Sequence, residues 1–261
     1  MPNINRTGLG EARVEDFIER GYLRLDGAFS TDLAADIRGI LWKAMGLSPD
    51  DPDGWTKPVI RLPFMTAPPF VAAANTPVLQ AAYDELVGAG RWIAPTGLGT
   101  FPVRFPSLDD PGDAGWHVDM SFGTDDPDFM QWRVNVRSRD RALLMLFLFS
   151  EVAEEDGPTR IRVGSHRDIA RQLLARGEEG LTLGELAADG FASTAHCDEV
   201  LATGEAGTVY LCHPFLVHSA QPNRVGRPRF MAQPPLLPRA DFDPAPPPSP
   251  VQLAIRRACG L

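Results

Sequence analysis

His117-Val118-Asp119 places an imidazole and a carboxylate two residues apart. On an extended strand successive side chains point to opposite faces, so His117 and Asp119 share one face. On a helix they would diverge by roughly 200°. The pair can therefore ligate one metal ion only if this stretch is extended. It would then supply two donors of a 2-His-1-carboxylate facial set, a geometry that leaves coordination positions open for a co-substrate and O₂. The triplet alone is a weak signal, because an exposed polar strand edge carries the same residues. The third donor must come from a short list, since the chain has only five histidines.

His218 closes the apolar run Phe215-Leu216-Val217, and Arg229 lies eleven residues further on. Between them Gln221-Pro222-Asn223-Arg224-Val225-Gly226 has strong turn character. A hairpin of that length would return Arg229 on the neighbouring strand, beside the metal. Its planar fork could there clamp a carboxylate through paired charge-assisted hydrogen bonds. His213 also precedes an arginine, Arg224, by eleven residues. Pro214 follows it and lacks a ladder donor, so His218 is preferred. Arg227 would share a face with Arg229 in an extended strand and is the alternative anchor. His166 reads as a turn or cap residue after Gly164-Ser165, and His196-Cys197-Asp198 as polar surface rather than a second metal site.

The ordered combination resembles the phytanoyl-CoA dioxygenase family of iron(II)- and 2-oxoglutarate-dependent oxygenases. The likeness runs from Phe17–Tyr22, through Gly115–Asp119 and Asp156–His166, to His218–Asn223 and Arg229, most of the chain. It implies a double-stranded β-helix, a cupin-like jelly roll, with helices outside it. It implies His117, Asp119 and His218 as iron ligands, Arg229 as the anchor of the distal carboxylate of 2-oxoglutarate, and Thr159 as a further co-substrate contact. The implied reaction oxidises a small organic substrate, by hydroxylation or a related outcome, with O₂ consumed and succinate and CO₂ released; ascorbate is a candidate accessory. A halogenase of this superfamily would have Gly or Ala at position 119, so Asp119 favours hydroxylation. The chain departs from the family pattern at Asp156 (usually Asn), Val163 (usually Pro), Gly115 and Ala220. The contacts to 2-oxoglutarate beyond Arg229 are therefore left open.

The elements that must position these residues are legible in outline. Val14, Phe17 and Ile18 form a helical stripe stopped by Gly21, and Tyr22–Leu25 reads as a strand. Ser30 or Thr31 caps a helix whose inward face is Leu33, Ile37, Ile40 and Leu41. Residues 48–58 read as loop, and Thr76 caps a helix from Pro77 to Val87. After Gly90 short runs alternate with turns: Gly97–Phe105, Trp116–Met120, Trp132–Val136, Ala142–Phe149, Thr159–Val163, Thr208–Leu211, Leu216–Ala220 and Phe230–Leu237. That texture suggests a sandwich or barrel. Helical pieces are expected at Asp168–Leu174, Thr182–Ala188 and Val251–Ala258. The economical organisation is one oxygenase domain over 1–261: helices to about 90, a jelly-roll core over about 91–240, and a Pro-rich tail over 238–250.

With 261 residues, a net charge of −9 and 44% apolar residues, the chain can close a large core and lacks the basic footprint of a nucleic-acid binder. Four arginines from Arg133 to Arg141 read as a solvated strand edge, with Arg133, Asn135 and Arg137 alternating along it. Cys197, Cys212 and Cys259 have no metal-type spacing. Met1–Glu11 carries no apolar signal core, and the longest apolar run, Ala142–Phe149, is eight residues, too short for a bilayer. A cytoplasmic protein acting on a small molecule, with neither nucleic-acid nor membrane partners, is the expectation. Trp116, Phe122, Trp132 and Phe101 could line a substrate cavity, with core packing the nearer role. The rival from another class is a cupin-like jelly roll that binds a metal or small ligand without turnover.

Overall fold

The computed structural model describes residues 8–224, 226–242 and 247–261. Met1–Thr7, Val225 in the expected turn and residues 243–246 of the Pro-rich tail lie outside them. Helix α1 (Glu11–Arg20) ends at Gly21, which takes a left-handed φ of 80° and lets its N–H bond back to Phe17 O. A Cβ at Gly21 would come within 2.4 Å of His166 Nδ1, so both conformation and space require glycine. Strand β1 (Tyr22–Leu25) follows, then α2 (Thr31–Met45), whose N-cap is Ser30 accepting from Leu33 N. Its fully buried positions are Ala34, Ile37 and Leu41, while Leu33 and Ile40 are only partly covered.

Strand β2 (Val59–Leu62) and helix α3 (Pro68–Ala74) were not legible in the sequence. The expected loop over 48–58 contains only a short 3₁₀ turn, Pro52–Gly54. The helix expected over Pro77–Val87 is α4 (Pro77–Tyr83), capped by Thr76 and continued by a wider π-turn, Asp84–Gly88. Strand β3 (Phe101–Arg104) pairs with β2. Then come β4 (Arg133–Val134), β5 (Leu143–Leu148), β6 (Arg160–Arg162), α5 (His166–Leu174), β7 (Leu181–Thr182), α6 (Leu183–Ala187), β8 (Glu199–Leu201), β9 (Val209–Cys212) and β10 (His218–Ser219). The run expected as one strand over Phe230–Leu237 is broken around Gln233-Pro234 into β11 (Met231–Ala232) and β12 (Pro235–Leu236). Helix α7 (Pro250–Cys259) closes the chain.

Two antiparallel sheets face each other. The larger has the order β1-β9-β5-β11, with β12 also on β5; the smaller is β10-β6-β8. Between them Leu144, Leu146, Leu148, Tyr210, Cys212 and Met231 meet Ile161, Ala202 and Leu216. The other face of the larger sheet, with Leu143, Met145, Phe147, Val209 and Leu211, packs on residues of the N-terminal helices. Strand β5 is thus buried on both faces, which is why it reads as an unbroken apolar run. Outside the smaller sheet Val118, Phe215 and Val217 join Ile169 and Leu173 of α5 and Ile255 of α7. This is a double-stranded β-helix with flanking helices. No helix among the described residues is long and apolar enough to cross a membrane.

The outer layer buries two histidines that the chemistry does not need. His166, expected as a turn or cap residue after Gly164-Ser165, is the first residue of α5, is fully buried, and donates from Nε2 to Ile18 O at 3.0 Å. His213 lies 4.8 Å away, ring to ring, accepting from Phe215 N and donating to Val251 O. Burial pushes His166 down to about 3 and His213 well below its ordinary value, and the neighbouring ring adds to the second shift. Both are neutral in the fold and gain protons on unfolding below pH ~6.5. Stability is then fully present above that pH and declines as the pH drops toward ~3, by about 1.4 kcal/mol per unit for each histidine. Urea unfolding between pH 7 and 4.5 measures this slope; a flat profile below pH 6.5 would contradict it.

Candidate metal centre

The segment expected as a strand over Trp116–Met120 makes only one ladder contact, but it is the one that matters. His117 pairs with His218 across an isolated antiparallel bridge, N to O at 3.0 Å and 2.9 Å. Directly opposed residues on paired strands send their side chains to the same face. The two imidazole centroids are accordingly 4.3 Å apart. His218 is in turn opposite Ile161 of β6, whose side chain belongs to the barrel interior. Asp119, two residues past His117, brings Oδ1 to 3.8 Å from His218 Nε2. Donor atoms of His117, Asp119 and His218 all lie within 4.8 Å of one another.

The local backbone also sets the tautomers. His117 Nδ1 lies 2.9 Å from Gly115 O, and His218 Nδ1 lies 3.0 Å from Leu216 O. A carbonyl only accepts, so each Nδ1 carries the proton and each Nε2 lone pair is left for a cation. Burial first, and the adjacent His117 second, push His218 down to about 4, so it stays neutral and able to ligate at neutral pH.

Arg141 was not singled out by the sequence. Of the four clustered arginines, Arg133 and Arg137 pair with Glu179 and Glu178, and Arg139 with Asp140, at the surface. Arg141 instead turns inward and donates from NH1 to Asp119 Oδ2. The turn before it carries two left-handed non-glycine residues, Ser138 (φ 46°) and Asp140 (φ 60°), a conformation that costs about 1–2 kcal/mol per residue. Charge patterning could not separate the inward arginine from its neighbours, because the signal is in this turn. Asn135 donates to Glu178 O, so the Arg133–Asn135–Arg137 face holds the 178–180 loop.

Arg229 is 1% exposed. It sits two residues before Met231, whose side chain is in the barrel interior, and pairs by backbone with Arg104. Its NH1 donates to Gly157 O. Gly157 holds φ at 69°, and a Cβ there would press on Asn223 N at 3.0 Å. Thr159 is buried, with Oγ1 donating to Met231 Sδ at 3.7 Å, on the same side of the barrel as Arg229. The alternative anchor, Arg227, is exposed and held by Glu151 and Asp156, the latter at 3.0 Å. Asp156 also accepts from Ala153 N and Arg227 N, so the carboxylate at this position fastens the hairpin. His213, the alternative ligand, is walled into the outer layer described above, away from the triad.

Phe101 is core. Trp116 lies under both Arg160 and Arg162, at 4.4 and 4.1 Å from the guanidinium carbons to the ring centre. Phe122 is covered by Arg139, and Trp132 donates to Asp126 O. A second group with ligand-type atoms within 4.8 Å, Asp168, His196 and Cys197, lies at the surface, where Arg171 pairs with Asp168 at 2.6 Å.

Comparison with known proteins agrees with this architecture. The family model for phytanoyl-CoA dioxygenase (PhyH) matches residues 17–231. EctD from S. alaskensis, solved with 2-oxoglutarate and 5-hydroxyectoine, superimposes with a TM-score of 0.57 at 24% identity over 92% of this chain and 78% of that one. HygX from Streptomyces hygroscopicus, with nickel and 2-oxoglutarate bound, gives 0.55 at 19% identity over 87% and 86%. SnoK, a non-haem α-ketoglutarate-dependent carbocyclase of nogalamycin biosynthesis, gives 0.57 at 16% identity over 93% and 88%. At these identities the likenesses establish the jelly-roll fold. No curated protein sequence matches significantly.

Proposed function

Because this chain belongs to the phytanoyl-CoA dioxygenase family, we propose that it is an iron(II)- and 2-oxoglutarate-dependent dioxygenase that oxidises a small organic molecule, acting as one oxygenase unit. The observation that carries the reading is the convergence of His117, Asp119 and His218, with both imidazoles fixed in the tautomer that offers Nε2. Two neutral nitrogens and one carboxylate oxygen suit iron(II) and leave room for further ligands. Bound there with 2-oxoglutarate, the metal would supply O₂-driven oxidation of the substrate, with succinate and CO₂ as co-products.

The chain's own residues do the rest. The bridge between His117 and His218 holds two donors on one rigid ladder position. Arg141 fixes the second oxygen of Asp119, so that the first faces His218. Arg229 offers a buried guanidinium to the far carboxylate of the co-substrate. The apolar side chains between the sheets exclude water from the reacting groups. EctD and HygX were solved with 2-oxoglutarate, and SnoK is named for its dependence on it, which supports the same co-substrate here.

Adding 2-oxoglutarate to the iron(II)-loaded protein without oxygen tests the proposal. A weak visible metal-to-ligand band is expected, and succinate should form when O₂ is admitted with a substrate. A binding module without turnover gives no succinate, and absence of the band removes the 2-oxoglutarate assignment. Arg141→Met releases one oxygen of Asp119 and is expected to weaken iron(II) binding about tenfold, as loss of a group supporting a ligand does. Titration with iron(II) under anaerobic conditions reads this; unaltered affinity contradicts the role.

A further inference from the structure

Two guanidinium groups lie side by side inside the barrel, faced by too little negative charge. Arg104 and Arg229 are each 1% exposed and pair directly by backbone, at 3.0 and 2.8 Å, so their side chains leave the same face. The flanking Val103 and Phe105 belong to the outer core, which confirms that Arg104 faces inward. Arg229 spends NH1 and NH2 on the neutral carbonyls of Gly157 and Pro102. Arg104 donates from NH2 to Asp113 Oδ2 at 2.6 Å, an oxygen that Asp113 shares with the exposed Arg61. Arg104 Nε, Arg104 NH1 and Arg229 Nε are buried without a partner. Asp156, the other acid whose charge reaches Arg229, is committed to Arg227 and two amides. Burial and the adjacent Arg104 together lower Arg229 to about 9, which leaves it charged at neutral pH.

Two buried cations therefore face one carboxylate, Asp113, whose own Oδ1 is also without a partner, and three guanidinium nitrogens have no acceptor. Orphaned buried donors of this kind call for an anion. A carboxylate brings the single charge that balances the pair and two oxygens for the free N–H groups. We propose that Arg104 is a second anion-binding residue, which grips one carboxylate jointly with Arg229; on the functional reading above, this is the distal carboxylate of 2-oxoglutarate. The site then discriminates between keto acids by their far end: those without a second carboxylate leave both guanidiniums uncompensated.

The test compares full-length wild-type, Arg104→Met and Arg104→Lys proteins, loaded with iron(II) under anaerobic conditions and titrated calorimetrically with 2-oxoglutarate and with 2-oxobutyrate, which lacks the distal carboxylate. Arg104→Met is expected to raise the Kd for 2-oxoglutarate about tenfold to a hundredfold, the scale of lost charge-assisted bonds. Its Kd values for iron(II) and 2-oxobutyrate should stay within threefold of wild type. An unchanged Kd for 2-oxoglutarate, or an equal loss for 2-oxobutyrate, overturns the proposal. Thermal unfolding shows whether each variant folds. If Arg104→Met does not, Arg104→Lys decides: it keeps the charge and loses the fork, so a rise of at least threefold supports the role and no rise overturns it. Wild-type protein that binds iron(II) but no 2-oxoglutarate is a distinct outcome, which removes the functional reading and this inference together.

Discussion

Asp119→Ala is expected to abolish turnover and to weaken iron(II) binding by at least about a hundredfold. Asp119 is the only anionic donor in the group it forms with His117 and His218, and two neutral imidazoles alone cannot offset a divalent cation. The substitution also leaves the inward guanidinium of Arg141 facing the vacated position, adding positive charge where the metal must bind. Asp119→Asn separates the two effects: its amide keeps the shape and one oxygen donor but loses the charge. Its affinity is expected to fall between those of wild type and Asp119→Ala. Iron(II) titration and succinate release read both variants, and full activity in Asp119→Ala would remove the metal assignment.

The second large effect is expected at Arg229. Arg229→Met should raise the KM for 2-oxoglutarate about a hundredfold, corresponding to about 3 kcal/mol for a two-pronged charge-assisted contact. Iron(II) affinity should hold, because Arg229 touches none of the three donors. Arg227→Met is the matched control. It sits two residues away but is exposed and engaged by Glu151 and Asp156, so its KM for 2-oxoglutarate is expected to stay within about threefold. A large effect at Arg227 with none at Arg229 would reverse the assignment of the anchor.

Much of this arrangement can be read from sequence where one local rule dominates. Gly21 ends α1 because only a left-handed residue without a Cβ fits against His166, and Tyr22–Leu25 was readable as the strand that follows. The i, i+2 spacing of His117 and Asp119 carried their shared face, although the strand itself is reduced to one bridge. What stayed hidden depends on partners distant in the chain. Arg104 gives no signal among Phe101, Pro102 and Val103; its inward position appears only when β3 is laid against Arg229. Arg141 was masked by three neighbouring arginines of identical type, and the left-handed turn at Ser138 and Asp140 breaks the alternation that pattern reading assumes. The burial of His166 and His213, read from sequence as a turn or cap residue and as the rival ligand, depends on α1 and α7, which supply the carbonyls of Ile18 and Val251. The expected shared face of Arg227 and Arg229 failed because that stretch around Pro228 is not a regular strand.

The most direct test is anomalous diffraction at the iron edge from crystals grown with iron(II) under anaerobic conditions. The expected result is one strong peak, about 2.0–2.2 Å from His117 Nε2, Asp119 Oδ1 and His218 Nε2, typical of such donors on a divalent transition metal. A peak instead among Asp168, His196 and Cys197, or none beside the three proposed donors, would contradict the account.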